Sequence, residues 1–460
     1  MTGWVTRPEI LTQRRFWLQL LVIVALLGLV AFLGWRFVPG SPGRATLIAF
    51  ALIGVPTLLV HLEIALPTLM IVGALVTFRV GTGTQSEINA AMIFVAIMVG
   101  IWVVRMIVAH DVRLVNSPVN APLLGFLLIA GLSLLYGNVI WRWDVPRASN
   151  TLFVQLGAWS LMALSVGAFF WVANVIQDAK WLKVLVFGLV IISCLAGANA
   201  LLPGTPYYFR GINSIAGLWA GVMAFAQIVF NRRLVWPWRA LCVLTLAFWL
   251  YWGVRYFGWM SGWAPLITAL LVVSLLRSWR LFLVVFLCLA VLTAMNWPLV
   301  HQTFFIQTQA DGTLERIGIW QDMLQVIHQS PWLGLGPGSY SYYIRILFPG
   351  QRVQSHNQYL DILAQTGIAG ALFFAWALWE IGRLGARLRR KFRADFCQAY
   401  VCGVVGGLAG MLVGGIAGDW LLPYVYNIGF KGFPYTVYSW LFLGGLVALD
   451  HLARGERRER

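Results

Sequence analysis

Runs of about 20 apolar residues recur along almost the whole chain, and such a run is what a helix needs to cross a hydrocarbon core about 30 Å thick. Lipid offers no partners to backbone N–H and C=O groups, so segments of this kind must close their own hydrogen bonds as helices. Composition agrees. Of 460 residues, 60% are hydrophobic and 11% charged, against roughly a quarter charged in a soluble domain. The expected fold is all-α, a polytopic membrane helix bundle of about 12–14 transmembrane helices with one large external loop.

Fourteen candidate spans begin near Phe16, Arg44, Glu63, Ala90, Asn120, Thr151, Lys180, Gly211, Pro237, Met260, Arg280, Gln358, Cys397 and Pro434. The run Phe16 to Val38 is longer than a secretory leader's apolar core and lacks an obvious small-residue cleavage site, so it reads as a retained helix. Residues 44–79 hold the second and third spans around the polar hinge His61-Leu-Glu63, and a short hairpin that does not fully cross fits them equally. The chain divides into a transmembrane bundle (1–299), an external loop with an amphipathic helix (300–357), and C-terminal helices with a basic cytoplasmic tail (358–460).

The net charge of +17 does not point to nucleic acid, because the cations gather at helix ends. Arg7, Arg14 and Arg15 precede the first span, six basic residues lie between Arg383 and Arg393, and four close the chain from Arg454. That is the cytoplasmic bias of Lys and Arg, with contact to anionic membrane lipids as a secondary consequence. Both termini then lie in the cytoplasm, and the segment from about His301 to Asn357 faces outward, as expected for a bacterial cytoplasmic (inner) membrane protein with a periplasmic or extracellular active face. The five cysteines fall inside apolar segments and form neither a disulfide framework nor a zinc pattern.

Within the outward segment, Leu314, Ile317, Trp320, Leu324 and Ile327 form one stripe at helical spacing, as for a helix lying on the membrane surface. Pro331 stops it, and Gly334, Gly336, Pro337 and Gly338 form a tight turn. Ser355 followed by Gln358 fits a capping box that would put His356 and Asn357 in the first turn of the next helix, with Asp361 near its positive end.

Arg210, Arg255, Arg316, Arg345 and Arg352 lie on the outward face, which the charge bias does not explain. A guanidinium there either snorkels to lipid phosphates or holds an anionic ligand through its bidentate fork. His356 is either part of the helix end or a general base, since an ordinary imidazole, with a pKa near about 6.5, can take a proton from a sugar hydroxyl. Asp419 could orient an Arg, bind an acceptor or pair structurally with an outward arginine. Trp and Tyr near this boundary form an interfacial belt, a few of them placed to stack on sugar rings. No carboxylate or His cluster has metal-ligand spacing, and no phosphate-cradling Lys loop is present, so neither metal nor cofactor is expected.

Arg316-Ile-Gly-Ile-Trp320, Pro331-Trp-Leu-Gly-Leu-Gly-Pro-Gly-Ser-Tyr340, Ser355-His-Asn-Gln-Tyr-Leu360 and Gln365-Thr-Gly-Ile-Ala-Gly370, in this order, resemble the core of the O-antigen ligase and O-antigen polymerase family. Phe209-Arg-Gly-Ile-Asn213 and Gly418-Asp-Trp-Leu-Leu-Pro423 look similar to further family segments. The resemblance implies a membrane glycosyltransferase fold and transfer of a glycan from undecaprenyl diphosphate to a hydroxyl of a glycan or lipid acceptor, without a metal. It further implies that Arg210 and an arginine near the tenth span bind the diphosphate, while His356 activates the acceptor or steadies the leaving group. Arg316, Arg352, Asn357, Asn213, Asp419 and Trp320 complete the expected substrate-binding set. One departure is visible: Met260-Ser-Gly-Trp-Ala264 lacks the arginine of the family's Ser-Arg-Gly segment, and Arg255 just upstream is the residue expected to replace it. The alternative class is a transporter or flippase of lipid-linked glycans, which would carry internal repeats, discontinuous helices and midplane charges.

Overall fold

The computed structural model describes residues 62–76, 79–81, 87–202, 213–256, 260–301, 313–350 and 354–458. The candidate spans near Phe16 and Arg44, together with Arg210 and Arg352, lie outside the described residues, as do the side chains of Arg255 and Arg316.

In chain order the elements are α1 (Ala65–Leu75), β1 (Arg79–Gly81), β2 (Glu87–Asn89), α2 (Ala90–Val108), α3 (Asn120–Val139), α4 (Thr151–Val175), α5 (Ala179–Leu201) and α6 (Ser214–Phe230). Then come α7 (Trp236–Tyr256), α8 (Met260–Arg277), α9 (Trp279–Met295), α10 (Trp297–His301), α11 (Thr313–Ile327), α12 (Tyr340–Leu347), α13 (Gln358–Arg389), α14 (Phe396–Gly414) and α15 (Gly429–Arg458). Among the described residues, α2, α3, α4, α5, α13, α14 and α15 are long and apolar enough to cross a membrane. The chain is an all-α polytopic membrane protein. Every span expected from Ala90 onward has its helix, because in lipid an apolar run has one way to satisfy its backbone. The stretch Leu62–Leu75 reaches only about 20 Å at 1.5 Å per residue, short of a crossing on its own.

Helix starts carry the expected side-chain acceptors. Asn89, Asp178, Asn213, Ser278, Asn357 and Asp395 each accept from a first-turn N–H, satisfying donors that have no partner within the helix. The strands β1 and β2 pair antiparallel, Arg79 opposite Asn89, and Asn89 donates to the Phe430 carbonyl, fastening this hairpin to the start of α15.

The core lies where α14 and α15 meet α4, α6 and α8. Lipid tails are as apolar as leucine, so helices in a bilayer gain most from close packing of small residues. On α14, a Cβ at Gly406 would lie 3.0 Å from the Ala269 carbonyl oxygen and one at Gly410 2.4 Å from that of Pro265, so α8 can approach only because these positions lack side chains. Trp219 of α6 stacks on Phe442 of α15 at 4.7 Å and donates to the Ser439 hydroxyl at 3.0 Å.

The two ends of the bundle differ. Arg387 and Arg454 both reach Asp450, Arg232 N–H donates to the Ala394 carbonyl, and Lys183 lies against Phe396, all at the end where α13 finishes and α14 begins. This is the basic face. At the opposite end, the loop face, α14 runs back to the start of α13, with Gln358 N–H donating to Gly415 O at 2.9 Å.

The segment from Thr313 to Leu347 does not rest loosely on this face. It has its own apolar cluster with Ala158 and Val425, in which Ile319, Met323, Val326 and Ile327 of α11 are buried. Of the expected stripe, Ile327 is buried in this cluster, Trp320 is half-buried, and Ile317 and Leu324 are half exposed, while Ile319, Met323 and Val326 face the protein. Both sets have helical spacing, and the protein beneath decides which positions are covered.

Candidate functional site

The glycine-rich turn after α11 enters the bundle. Residues 334–344 are buried, and the turn lies against a break in α13. Gly367 has φ 65° and ψ −171°, a conformation only glycine adopts readily, and it interrupts the helical ladder. Four of the main-chain groups around the break bond to the turn. Leu335 N–H donates to Ala364 O (2.9 Å) and Gly336 N–H to Gln365 O (3.0 Å), while Ile368 N–H donates to Pro331 O (2.8 Å) and Ala369 N–H to Trp332 O (3.1 Å). Gln365 Oε1 also accepts from Gly338 N–H at 3.0 Å. The paired motifs Pro331–Tyr340 and Gln365–Gly370 thus form one lock between loop and membrane helix, which explains their glycines.

That lock positions Tyr340 over the first turns of α13. Its hydroxyl donates to Asp361, and its ring stacks on Tyr424 at 4.5 Å and 10°. Burial, then the nearby Asp361 charge, pushes the Tyr340 hydroxyl well above the usual tyrosine range, so it remains a donor. Ser355 Oγ donates to the same Asp361 oxygen at 2.7 Å and accepts from Asn357 N–H at 2.9 Å. The carboxylate of Asp361, in the first turn of α13 as expected, is thus also held between loop and helix.

The turn before α13 is held on every side. Gln354 Nε2 donates to Tyr426 O (2.9 Å), Trp320 Nε1 to Ser355 O (2.9 Å), and Asn357 Oδ1 accepts from Tyr359 N–H (3.0 Å) and Leu360 N–H (3.2 Å). Asn357, not Ser355, is the cap, and Gln358 turns its Oε1 to Trp420 and Leu421 N–H at 2.8 Å each instead of closing a capping box. His356 therefore stands just outside the helix, not in its first turn, with φ 50° and half-buried. A non-glycine residue held at positive φ costs on the order of 1 kcal/mol, which the bonds of its neighbours sustain.

Of the sequence-derived candidates, His356, Asn357 and Trp320 meet in this turn. Asp419 joins through Tyr424, whose N–H donates to Asp419 Oδ2 at 2.7 Å, and it is near enough to act electrostatically on Asp361. Asn213 sits apart from these bonds as the cap of α6, accepting from Ile215 and Ala216 N–H at 3.0 and 3.3 Å. Tyr340, Ser355, Gln365 and Tyr424 were not singled out as candidates. Tyr340 and Gln365 end or begin the quoted motifs, which was the signal available.

Asp419 is buried, accepting from Tyr424 N–H, and burial pushes this carboxyl up to about 6. Between about pH 4 and pH 6 the native chain holds a proton that the unfolded chain has released. This contribution to stability is full below the ordinary carboxylate range and is lost as pH rises through about 6. Asp419→Asn should therefore flatten the fall in thermal midpoint between about pH 4.5 and 7.5, and a slope unchanged by the substitution would remove the assignment.

Two cavities flank the turn. An apolar groove of about 770 Å³ follows α13 from Tyr359 through Ile362 and Ala375 to Arg383, with Leu408 and Leu412 of α14 opposite. On the loop face, a polar cavity of about 520 Å³ includes Glu87, Asn150, Tyr342, Arg345, Tyr426 and Lys431 in its lining. Tyr359, three residues after His356, lines the groove, and Tyr426, whose carbonyl accepts from Gln354, lines the polar cavity.

Residues 258–375 match the family model described as O-Antigen ligase. A General O-oligosaccharyltransferase of Acinetobacter baylyi is 27% identical over 175 residues, 35% of this chain. The match covers 28% of that relative's length. The family match includes Trp320, the glycine-rich turn, Tyr340, His356, Asn357, Asp361 and the break at Gly367, while Arg210, Asn213, Arg255 and Asp419 lie before or after it.

Proposed function

We propose, from the match of residues 258–375 to the O-antigen ligase family model, that the chain transfers a glycan from undecaprenyl diphosphate to an acceptor hydroxyl without a metal. The observation that carries the proposal is His356, held at positive φ inside the matched segment, with Tyr359 three residues after it lining the apolar groove and Gln354 two residues before it bonded to Tyr426 in the wall of the polar cavity. In the reaction, the acceptor oxygen bonds to the glycan's reducing-end carbon as that carbon's bond to the phosphate oxygen breaks. His356 takes the hydroxyl proton, and the polyprenyl diphosphate leaves as an anion. Arg210 and Arg255, with Arg316 and Arg352, neutralise that anion in a partly dry site, where guanidinium groups act more strongly than in water. Asn357 and Trp320 set the turn, and Asn213 caps the start of α6.

The loop face is the outward one in this proposal, because Arg383–Arg393 and the other clustered cations lie at the opposite end. The isoprenoid lies along α13: Tyr359 to Arg383 is about 36 Å of helix at 1.5 Å per residue, longer than one leaflet. Ala375→Trp, on the exposed wall of the groove, is expected to lower transfer from a long-chain carrier at least tenfold while sparing a short-chain analogue. Equal loss with both carriers would place the isoprenoid elsewhere.

A transporter remains the second reading because α13 is discontinuous, a feature of that class. Four of the main-chain groups around its break are already bonded to the loop, which disfavours a ligand there. Deletion of the gene tests the proposal and divides it: loss of long chains assigns polymerisation, and long chains left on the carrier assign ligation. Carrier movement across vesicles with no new covalent linkage assigns transport instead.

A further inference from the structure

We propose that the polar cavity on the loop face binds a saccharide bearing a carboxylate or phosphate, holding the water-borne glycan beside His356. Five parts of the chain converge on it: β2 with Glu87, the segment before α4 with Asn150, α12 with Tyr342 and Arg345, the loop with Tyr426 and Asn427, and α15 with Lys431. Its volume of about 520 Å³ falls within the roughly 300–1,000 Å³ of small-ligand clefts.

The lining specifies the ligand. Arg345 and Lys431 outnumber Glu87, so the cavity favours an anion, and Arg supplies a planar fork for carboxylate or phosphate oxygens. Tyr342 and Tyr426 stand edge to face with centroids 6.1 Å apart, giving a ring an apolar surface. The Arg345 guanidinium lies 5.6 Å from the Tyr426 centroid, which fixes the cation beside that surface. Asn150 and Asn427 offer both donors and acceptors, as ring hydroxyls require. Cation, flat apolar face and amides together describe an acidic sugar better than a simple ion.

Two observations tie the cavity to the site while separating it from the carrier. Gln354, two residues before His356, donates to the carbonyl of Tyr426 in the cavity wall at 2.9 Å. The cavity shares no lining residue with the apolar groove of α13, so it serves the end of the reaction that is not lipid-borne. The identification of the ligand as glycan rests on the transferase reading above.

The test is equilibrium binding to the full chain in detergent, with a galacturonate-containing oligosaccharide and its neutral galactose counterpart as probes. The wild-type chain is expected to bind the acidic probe at least tenfold more tightly, with a preference that weakens as salt is raised. Arg345→Gln combined with Lys431→Gln should abolish the preference without weakening the neutral probe, and Arg345→Lys with Lys431 intact should keep part of it. Equal wild-type affinity for both probes, or an unchanged preference in the double variant, would overturn the inference. Competition by a phosphoinositide nanodisc but by neither oligosaccharide would overturn it too, assigning the cations to a lipid headgroup. The two proposals fail separately: preference in a chain that transfers nothing leaves the cavity standing, and transfer without preference removes the cavity alone.

Discussion

Gly367→Ala is expected to destabilise the protein by about 4 kcal/mol or more, enough to remove it from the membrane fraction of expressing cells. Two costs add. The backbone at φ 65°, ψ −171° lies where side chains cost roughly 1–3 kcal/mol. A Cβ would also sit 2.3 Å from both the carbonyl carbon and oxygen of Trp332, atoms of backbone that cannot rotate away, so the turn must separate from the helix. Overpacking of this kind adds roughly 1–3 kcal/mol, and separation would strand backbone groups of both partners where lipid offers no replacement. The comparison is Gly318→Ala on α11, where an added Cβ meets nothing within 4 Å and should be tolerated. Similar detergent-extracted yield and thermal midpoint for both variants would show that the lock contributes little.

The second large effect belongs to catalysis. His356→Ala is expected to lower glycan transfer by roughly 10²- to 10⁴-fold, the usual worth of a positioned general base. Alanine also loses a residue suited to positive φ, so His356→Asn is the companion variant: asparagine tolerates that conformation and forms hydrogen bonds but does not take a proton at neutral pH. Both variants should be inactive, and the asparagine variant should retain the wild-type thermal midpoint. Activity within threefold of wild type in a folded His356→Asn chain would assign the imidazole a structural role.

The fold was legible where physics leaves one solution. Helices starting at Ala90, Asn120, Thr151 and Gln358 follow from apolar runs that lipid forces into helical form, and Asn357 at a helix start is a local preference. What could not be read depends on partners far along the chain. Gln358 looked like half of a capping box, yet its carbonyl oxygen is claimed by Trp420 and Leu421, some sixty residues away. Asp361 stands in the first turn of its helix as expected, but its partners Tyr340 and Ser355 were not legible. On α11 the stripe through Ile317 and Leu324 was as periodic as the buried set of Ile319, Met323 and Val326, and only the protein beneath distinguishes them. The glycines of the 331–340 motif announced a tight turn, but not that it would receive a broken membrane helix.

The most direct measurement is the mass of both products when purified protein in detergent is given undecaprenyl-diphosphate glycan and an acceptor in excess chelator. The account predicts that the acceptor gains the mass of the glycan while an equal amount of undecaprenyl diphosphate, both phosphates retained, is released. An acceptor of unchanged mass beside a still-glycosylated carrier, or transfer that returns only when a divalent cation is restored, would contradict it.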